Sequence, residues 1–176
     1  MTNFLSERLD HRPMTEEDWP FFLALNQDPQ VVRYVADDRS EAAIRLLFDV
    51  RLPRWEVGSP HWLCWVIRER STGERVGVTG LIDRGEGVAE VGFLLASAFH
   101  GKGYGIESLR LLCRFAFAEA RFRKLSATVT VGNAASKAVL EKAGFVLEAR
   151  FEKTLFKNGE YLDELVYATR RPADVP

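Results

Sequence analysis

Three glycines fall within five consecutive residues of the chain, at Gly101, Gly103 and Gly105. An apolar, periodic segment typical of a helix begins among them, reading YGIESLRLLCRFAF from Tyr104. Glycine lets the main chain approach a ligand closely, and the first N–H groups of a helix have no partner inside it. Because the helix dipole also favours negative charge at this end, the stretch predicts a binding turn for a phosphate or another anion.

The spacing of the glycines differs from that of two well-known phosphate-binding turns. A Walker-type loop ends in lysine followed by serine or threonine, whereas Lys102 is followed by Gly103. The dinucleotide pattern GxGxxG needs a glycine at position 106 or 108, and the chain has Ile106 and Ser108 there. Both nucleotide-binding patterns are therefore excluded, and the turn predicts a different phosphate ligand.

A carboxylate lies in the strand that is predicted just before the glycines. The segment VAEVGFLLA alternates so that Ala89, Val91 and Phe93 share one face. Glu90 lies on the other face, in the middle of an otherwise apolar strand. Burial raises the pKa of a carboxyl group, and a raised pKa suits a general base. Glu90 is therefore a candidate base, and a salt-bridged structural glutamate is the alternative.

Length and charge limit the kind of protein this can be. With 176 residues, of which 47% are hydrophobic, the chain can bury one sizeable core, and we expect a single domain over residues 1–176. The formal net charge is −1 and the sequence pI is about 6.3. This balance gives no reason to expect a nucleic acid or an anionic membrane as a partner.

Membrane, secretion and disulfide signals are missing from the sequence. The opening MTNFLSERLD lacks the basic lead and apolar run of a signal peptide, and no apolar stretch approaches the length of a membrane span. The two cysteines, Cys64 and Cys113, lie in apolar segments and are expected to be small buried residues. We therefore expect a cytoplasmic protein.

The order of predicted elements indicates an α/β fold. The elements expected in chain order are a strand at 8–12, a helix from about Asp18, a helix capped by Ser40, three strands between 61 and 96, a helix from Tyr104 to Ala120, a strand at 124–131, a helix from Asn133 and a hairpin that turns at Asn158-Gly159. Short connections that contain glycine make the three central strands an antiparallel meander. We expect a mixed, mostly antiparallel sheet of about seven strands, flanked by helices.

Two motifs in this order resemble a known family. The stretch HGKGYG resembles the pattern Q/R-x-x-G-x-G/A of the GNAT superfamily of acyl-CoA-dependent N-acetyltransferases, with His100 where that family has Gln or Arg. The stretch NAASKAVLEKAGF is similar to the N-x-x-S…EKxGF element of the same family. The opening ERLDHRPMTEEDWPFFLALNQDPQVVRYV and the closing FKNGEYLDELVYATRR resemble the branch that acetylates N-termini of ribosomal proteins, the RimJ/RimL-like enzymes.

The resemblance implies acetyl-CoA as co-substrate and no metal. Its diphosphate would bind the glycine turn, and its pantetheine arm would pair with main-chain groups of the preceding strand. The residues implied for binding are Phe93, Leu94, Leu95, His100, Gly101, Lys102, Gly103, Tyr104, Gly105, Asn133 and Ser136. Asn133 has a compatible structural role, since Asn is among the best residues for capping the start of a helix.

The resemblance also implies the chemistry. Glu90 would remove the proton of the attacking amine, often through water, and Ser136 would protonate the departing sulfur. RimL-like enzymes carry a catalytic glutamate in the first strand of the terminal hairpin, where this chain has Leu155. The implied reaction is direct transfer of an acetyl group to a primary amine.

The identity of the acceptor stays open. A protein N-terminus and a small amine are both possible, and Asp37 and Asp38 would attract a cationic amine. A non-catalytic acyl-CoA-binding sensor or scaffold with the same fold is the alternative function. Monomer and homodimer are both compatible with the sequence.

Overall fold

The computed structural model describes residues 4–35 and 39–173. The strands in these ranges are β1 (Phe4–Leu5), β2 (Leu9–Pro13), β3 (Leu63–Glu69), β4 (Arg75–Asp83), β5 (Val88–Leu95), β6 (Lys124–Thr130), β7 (Val146–Lys157) and β8 (Glu160–Arg170). The α-helices are α1 (Trp19–Gln27), α2 (Glu41–Asp49), α3 (Tyr104–Arg114) and α4 (Ala134–Lys142). A π-helical turn, Phe115–Glu119, continues α3.

The strands form one sheet in the order β1-β2-β3-β4-β5-β6-β8-β7. Every neighbouring pair is antiparallel except β5 and β6, which are parallel. That parallel pair has only three residue pairs, Val88 with Lys124, Ala89 with Leu125 and Glu90 with Ser126. Beyond Glu90 the two strands diverge, so a gap opens in the middle of the sheet.

Helices cover both faces of the sheet because alternate strand residues point to opposite sides. On β3, Trp65 packs into a core with residues of α3 and α4 such as Leu109 and Leu140. Its neighbour Val66 packs into a second core with α1 and α2, which includes Phe48. The helices therefore sit as α1 and α2 on one face and α3 and α4 on the other.

The predicted mixed, mostly antiparallel α/β architecture is confirmed, with eight strands rather than about seven because Phe4–Leu5 adds a short edge strand. Ser40 caps α2, its Oγ accepting the Ala43 amide at 3.2 Å. The hairpin turns at Asn158 and Gly159, both with positive φ. The helix predicted to reach Ala120 is α-helical only to Arg114, because the next turn switches to π-helical geometry.

Candidate active site

The gap between β5 and β6 is a cavity of about 780 Å³. Its walls are the diverging strand ends, Val91–Leu95 and Ala127–Thr130. The glycine turn with the start of α3 lies at one side, and α4 lines another. The lining is completed by residues 30–31 and 33–35, together with Leu155 and Glu164 of the β7–β8 hairpin.

The β5 side of this gap offers free main-chain groups. On its other edge β5 pairs with β4 as far as Leu95, but toward β6 its pairing stops at Glu90. Phe93, Leu94 and Leu95 line the gap, and the pairing of their main chain with a pantetheine arm, which the resemblance implies, stays a prediction. An extended ligand with amide groups can therefore add to this edge in the manner of a strand.

The glycine turn presents unpartnered amides to the same cavity. Gly101 and Gly103 have φ values of +76° and +79°, and Gly103 caps α3 with no side-chain acceptor. None of the N–H groups of residues 101–106 donates to an acceptor in the described ranges. A Cβ on Gly105 would lie 3.4 Å from Leu95 Cδ1. This arrangement of free N–H groups at a helix start is suited to an anion such as a diphosphate.

Two long-range contacts hold the glycine turn. Arg8 donates from Nη1 to the Lys102 carbonyl oxygen at 2.8 Å and from Nε to Glu107 at 2.7 Å. The Tyr104 hydroxyl donates to Glu69, and this hydrogen bond lowers the pKa of the Glu69 carboxyl. Sequence reasoning missed Arg8, because the pair that it forms with Glu107 spans 99 residues of chain and has no local signal.

Asn133 caps α4 as expected, and the ligand-binding roles of Asn133 and Ser136 stay predictions. Asn133 Oδ1 accepts the Ser136 amide at 3.2 Å, so Asn133 is the helix cap. Both residues line the cavity. The Ser136 hydroxyl makes no hydrogen bond within the described part of the chain, so it is available to a ligand.

The side chains of His100 and Lys102 contact different parts of the chain. The His100 ring donates from Nε2 to the Leu95 carbonyl oxygen at 2.8 Å, which links the turn to the end of β5. Lys102 places its ammonium 5.2 Å from the centre of the Phe99 ring and does not line the cavity. His100 and Tyr104 do line it.

Glu90 lies at the closed end of the gap and is not among the residues that line it. One of its carboxylate oxygens accepts from Arg84 Nη2 at 2.6 Å and from Nε at 2.8 Å. The Glu90 side chain is 25% exposed. The role of amine base stays a prediction for this residue.

A strap formed by residues 28–35 crosses the open end of the gap. Asp28 accepts from the Gln30 amide and from Ser97 Oγ, each at 2.9 Å, and these bonds lower the pKa of the Asp28 carboxyl. At the other end, the Tyr34 hydroxyl donates to the Gly132 carbonyl oxygen at 2.9 Å. The strap is therefore tied to both walls. Asp37 and Asp38, predicted to attract an amine, lie outside the described residues.

The cysteines and the possible metal ligands of the described ranges form neither a reactive thiolate nor a metal cluster. Burial raises the pKa of Cys64 and of Cys113 to about 12 in each case, so both stay thiols at neutral pH. Residues 4–35 and 39–173 contain no group of three or more His, Cys, Asp or Glu that could hold a metal ion. No helix within those ranges is both long and apolar enough to cross a membrane.

The fold is that of an acetyltransferase family. A family model described as an acetyltransferase (GNAT) domain matches residues 8–146. Since this match covers most of the chain, the protein belongs to the GNAT acetyltransferase family. The predicted family and enzyme class are thereby confirmed.

Individual proteins resemble the chain in sequence or in fold. The chain is 29% identical to the uncharacterized protein YkkB of Bacillus subtilis over 160 residues, which cover 89% of this chain and 90% of YkkB. It has the fold of RimL, a ribosomal-protein α-N-acetyltransferase solved with coenzyme A, at a TM-score of 0.82 and 22% identity over 98% of this chain and 100% of that one. It also has the fold of the Vibrio cholerae spermidine N-acetyltransferase solved with CoA and spermine, at 0.82 and 20% identity over 94% and 97% of the two chains.

Proposed function

We propose that this protein transfers the acetyl group of acetyl-CoA directly to a primary amine. The observation that carries the proposal is the gap itself, where unpartnered amides of residues 101–106 meet a β5 edge without a strand partner. A diphosphate at the turn and an extended amide-bearing arm along β5 satisfy both sets of groups. A cavity of about 780 Å³ is large enough for the reacting end of such a substrate.

The reaction needs few protein groups. The amine nitrogen attacks the thioester carbonyl carbon, a C–N bond forms, the C–S bond breaks and the thiolate leaves. One proton lost by the amine and one gained by the sulfur balance the step, which gives an amide and free CoA thiol. Ser136, whose hydroxyl is free and lines the cavity, is the proposed donor to sulfur. Because an alkyl thiol has a pKa near 8.5, this help is modest.

The acceptor class follows from the family and from chemistry. RimL and the spermidine enzyme are named for amine acceptors of two kinds, a protein N-terminus and a polyamine. An α-amine, with a pKa of about 7.7–8.0, is partly neutral near pH 7, whereas an alkyl amine near 10.4 needs a base more strongly. We place the protein in the RimJ/RimL-like branch on the resemblance of its two ends.

The experiment is a screen of acceptors with the full chain. Release of CoA thiol from acetyl-CoA is followed with peptides that have free N-termini, with polyamines and with other small primary amines, and the products are identified by mass spectrometry. A reaction without amine gives the background of hydrolysis, and calorimetric titration with CoA measures binding separately. We expect tight CoA binding and acetylation of at least one amine class.

Two results would count against the proposal. A chain that binds CoA but acetylates none of the amines would act as a sensor or scaffold of acyl-CoA. A chain that does not bind CoA at millimolar concentration would contradict the assignment of the gap as the donor site.

A further inference from the structure

Glu164 differs from every other acidic residue near the cavity. It is the single carboxylate among the residues that line the cavity in the described ranges. It is half-buried, and its side chain makes no hydrogen bond and no ion pair with the described part of the chain. A carboxylate that is partly withdrawn from water without a partner is costly, so a cationic ligand group is favoured beside it.

Its neighbour on β8 shows the contrast. Asp163 accepts Arg150 Nη2 at 2.6 Å and the Lys153 amide at 2.9 Å. The Lys153 amide, with the Arg150 guanidinium, holds the pKa of the Asp163 carboxyl below its usual value. Because successive strand residues point to opposite faces, Asp163 contacts other hairpin residues whereas Glu164 faces the cavity.

The described neighbours of Glu164 do not pair with its carboxylate. The Cα atom of Glu164 pairs with that of Thr130 across the β6–β8 ladder, and the Thr130 hydroxyl already donates to the Tyr34 carbonyl oxygen at 3.1 Å. Leu155, also in the lining, adds apolar surface. The cationic side chains of the lining, Arg33 and Lys142, form no ion pair with Glu164.

The position along the cavity indicates which substrate group Glu164 meets. The glycine turn belongs to α3, at the end of the gap where β5 finishes. Glu164 lies on β8, beyond β6 on the opposite side of the gap, beside the end of the strap. An acid so placed is on the acceptor side, away from the phosphate-binding amides.

We propose that Glu164 binds the ammonium group of the acceptor and takes its proton; this rests on the proposed function. The ammonium first gives one proton to the Glu164 carboxylate, directly or through one water, and the neutral nitrogen then attacks the thioester carbon. The second N–H proton is lost once the C–N bond has formed, and it ends on the departing CoA sulfur. The carboxylic acid then returns the proton to solvent when the amide product leaves. The acceptor is thus a primary amine that arrives as a cation, and Glu164 replaces Glu90 as the base.

The test uses Glu164→Gln, which keeps the shape of the side chain and removes its charge and basicity. We expect kcat/KM for the best amine to fall by about 10²-fold or more, in the range of general base catalysis. Glu164→Asp keeps a carboxylate and should retain more activity than the glutamine variant. Glu152→Gln, on an exposed residue of the neighbouring β7, is the matched control and should behave as the wild type.

Binding measurements separate a role in catalysis from a role in structure. The Kd for CoA and the melting temperature of Glu164→Gln should equal those of the wild type, because the residue is tied to no other group of the described chain. Equal losses in CoA affinity and in activity would overturn the inference and indicate a structural role.

The outcomes also separate the two proposals. If the wild type acetylates an amine and Glu164→Gln does so at an undiminished rate, the inference is wrong while the proposed function stands. If the wild type acetylates no amine, the proposed function is wrong and the role of Glu164 falls with it.

Discussion

The two sides of the gap are built in different ways. On the α3 side the ligand-facing groups are main-chain amides, and their positions depend on glycines and on a helix start. On the hairpin side they are side chains that come from the strap, β6, β7 and β8. A main-chain site suits a ligand part that never changes, such as a diphosphate, whereas a side-chain site can be altered residue by residue to suit another acceptor.

The residues that support the two sides of the gap should lose their contributions to the free energy of unfolding at different pH values. His11 on β2 is fully buried and contacts Ser108 Oγ of α3 at 2.9 Å through Nε2. Burial lowers the pKa of His11 to about 4, from an ordinary value of 6.5. The unfolded chain therefore binds this proton first, and stability falls as the pH drops from about 6.5 to about 4. The expected loss is about 2–3 kcal/mol in free energy of unfolding.

Urea unfolding across this pH range, for the wild type and for His11→Asn, measures the effect. The variant should show a shallower pH dependence by that amount. The hairpin should keep the Arg150–Asp163 pair in the same interval, because the lowered pKa of Asp163 keeps its contribution until the pH falls below about 3.8. An identical pH dependence in both proteins would show that His11 is not the group responsible.

A substitution in the glycine turn should weaken donor binding alone. Gly103→Ala forces a side chain into a backbone with φ of +79°, at a cost of about 1–2 kcal/mol, and its Cβ would meet Arg8 Nη2 at 3.3 Å. We expect the Kd for CoA to rise about tenfold, measured by calorimetry, with little change in the KM of the amine.

The matched control is Gly58→Ala in the loop between α2 and β3. Gly58 has a φ of +92° with nothing within 4 Å of an added Cβ, and it does not line the cavity, so it carries comparable strain outside the site. Its melting temperature should drop while its Kd for CoA stays unchanged. Equal loss of CoA affinity in both variants would mean that global strain, not the turn, sets the affinity.

The smallest effect is expected at the strap. Tyr34→Phe removes the hydrogen bond from the strap to Gly132, worth roughly 1 kcal/mol. Steady-state kinetics should show a rise of about fivefold in the KM of the amine, with an unchanged Kd for CoA. Tyr161→Phe, at a residue that is 64% exposed on the hairpin, is the control and should have no effect. A change in CoA affinity for Tyr34→Phe would contradict the division of the gap into two independent sides.

The local geometry of the α3 side could be predicted from the sequence because its signals are local. Glycines that precede a periodic helix, and an Asn that precedes another, report their own backbone geometry. The order of the strands along the chain could likewise be predicted from alternation and from turn residues such as Asn158-Gly159.

The hairpin side of the gap could not be predicted because its residues meet only after folding. Glu164 and Tyr34 are separated by 130 positions in the numbering, and neither belongs to a motif. Glu90 shows the reverse case, since alternation singled it out correctly as a polar residue in an apolar strand. What alternation cannot report is its partner, Arg84, which the preceding β4–β5 turn supplies.

The short parallel pairing of β5 and β6 has a consequence for cohesion. The strands β1 to β5 form one half of the sheet and β6 to β8 the other, and within the sheet only three residue pairs join them. A molecule that fills the gap adds contacts to both halves at once. Ligand binding in the gap and the free energy that holds the two halves together are therefore thermodynamically linked. Release of the product weakens the contact between the halves along the short β5–β6 pairing.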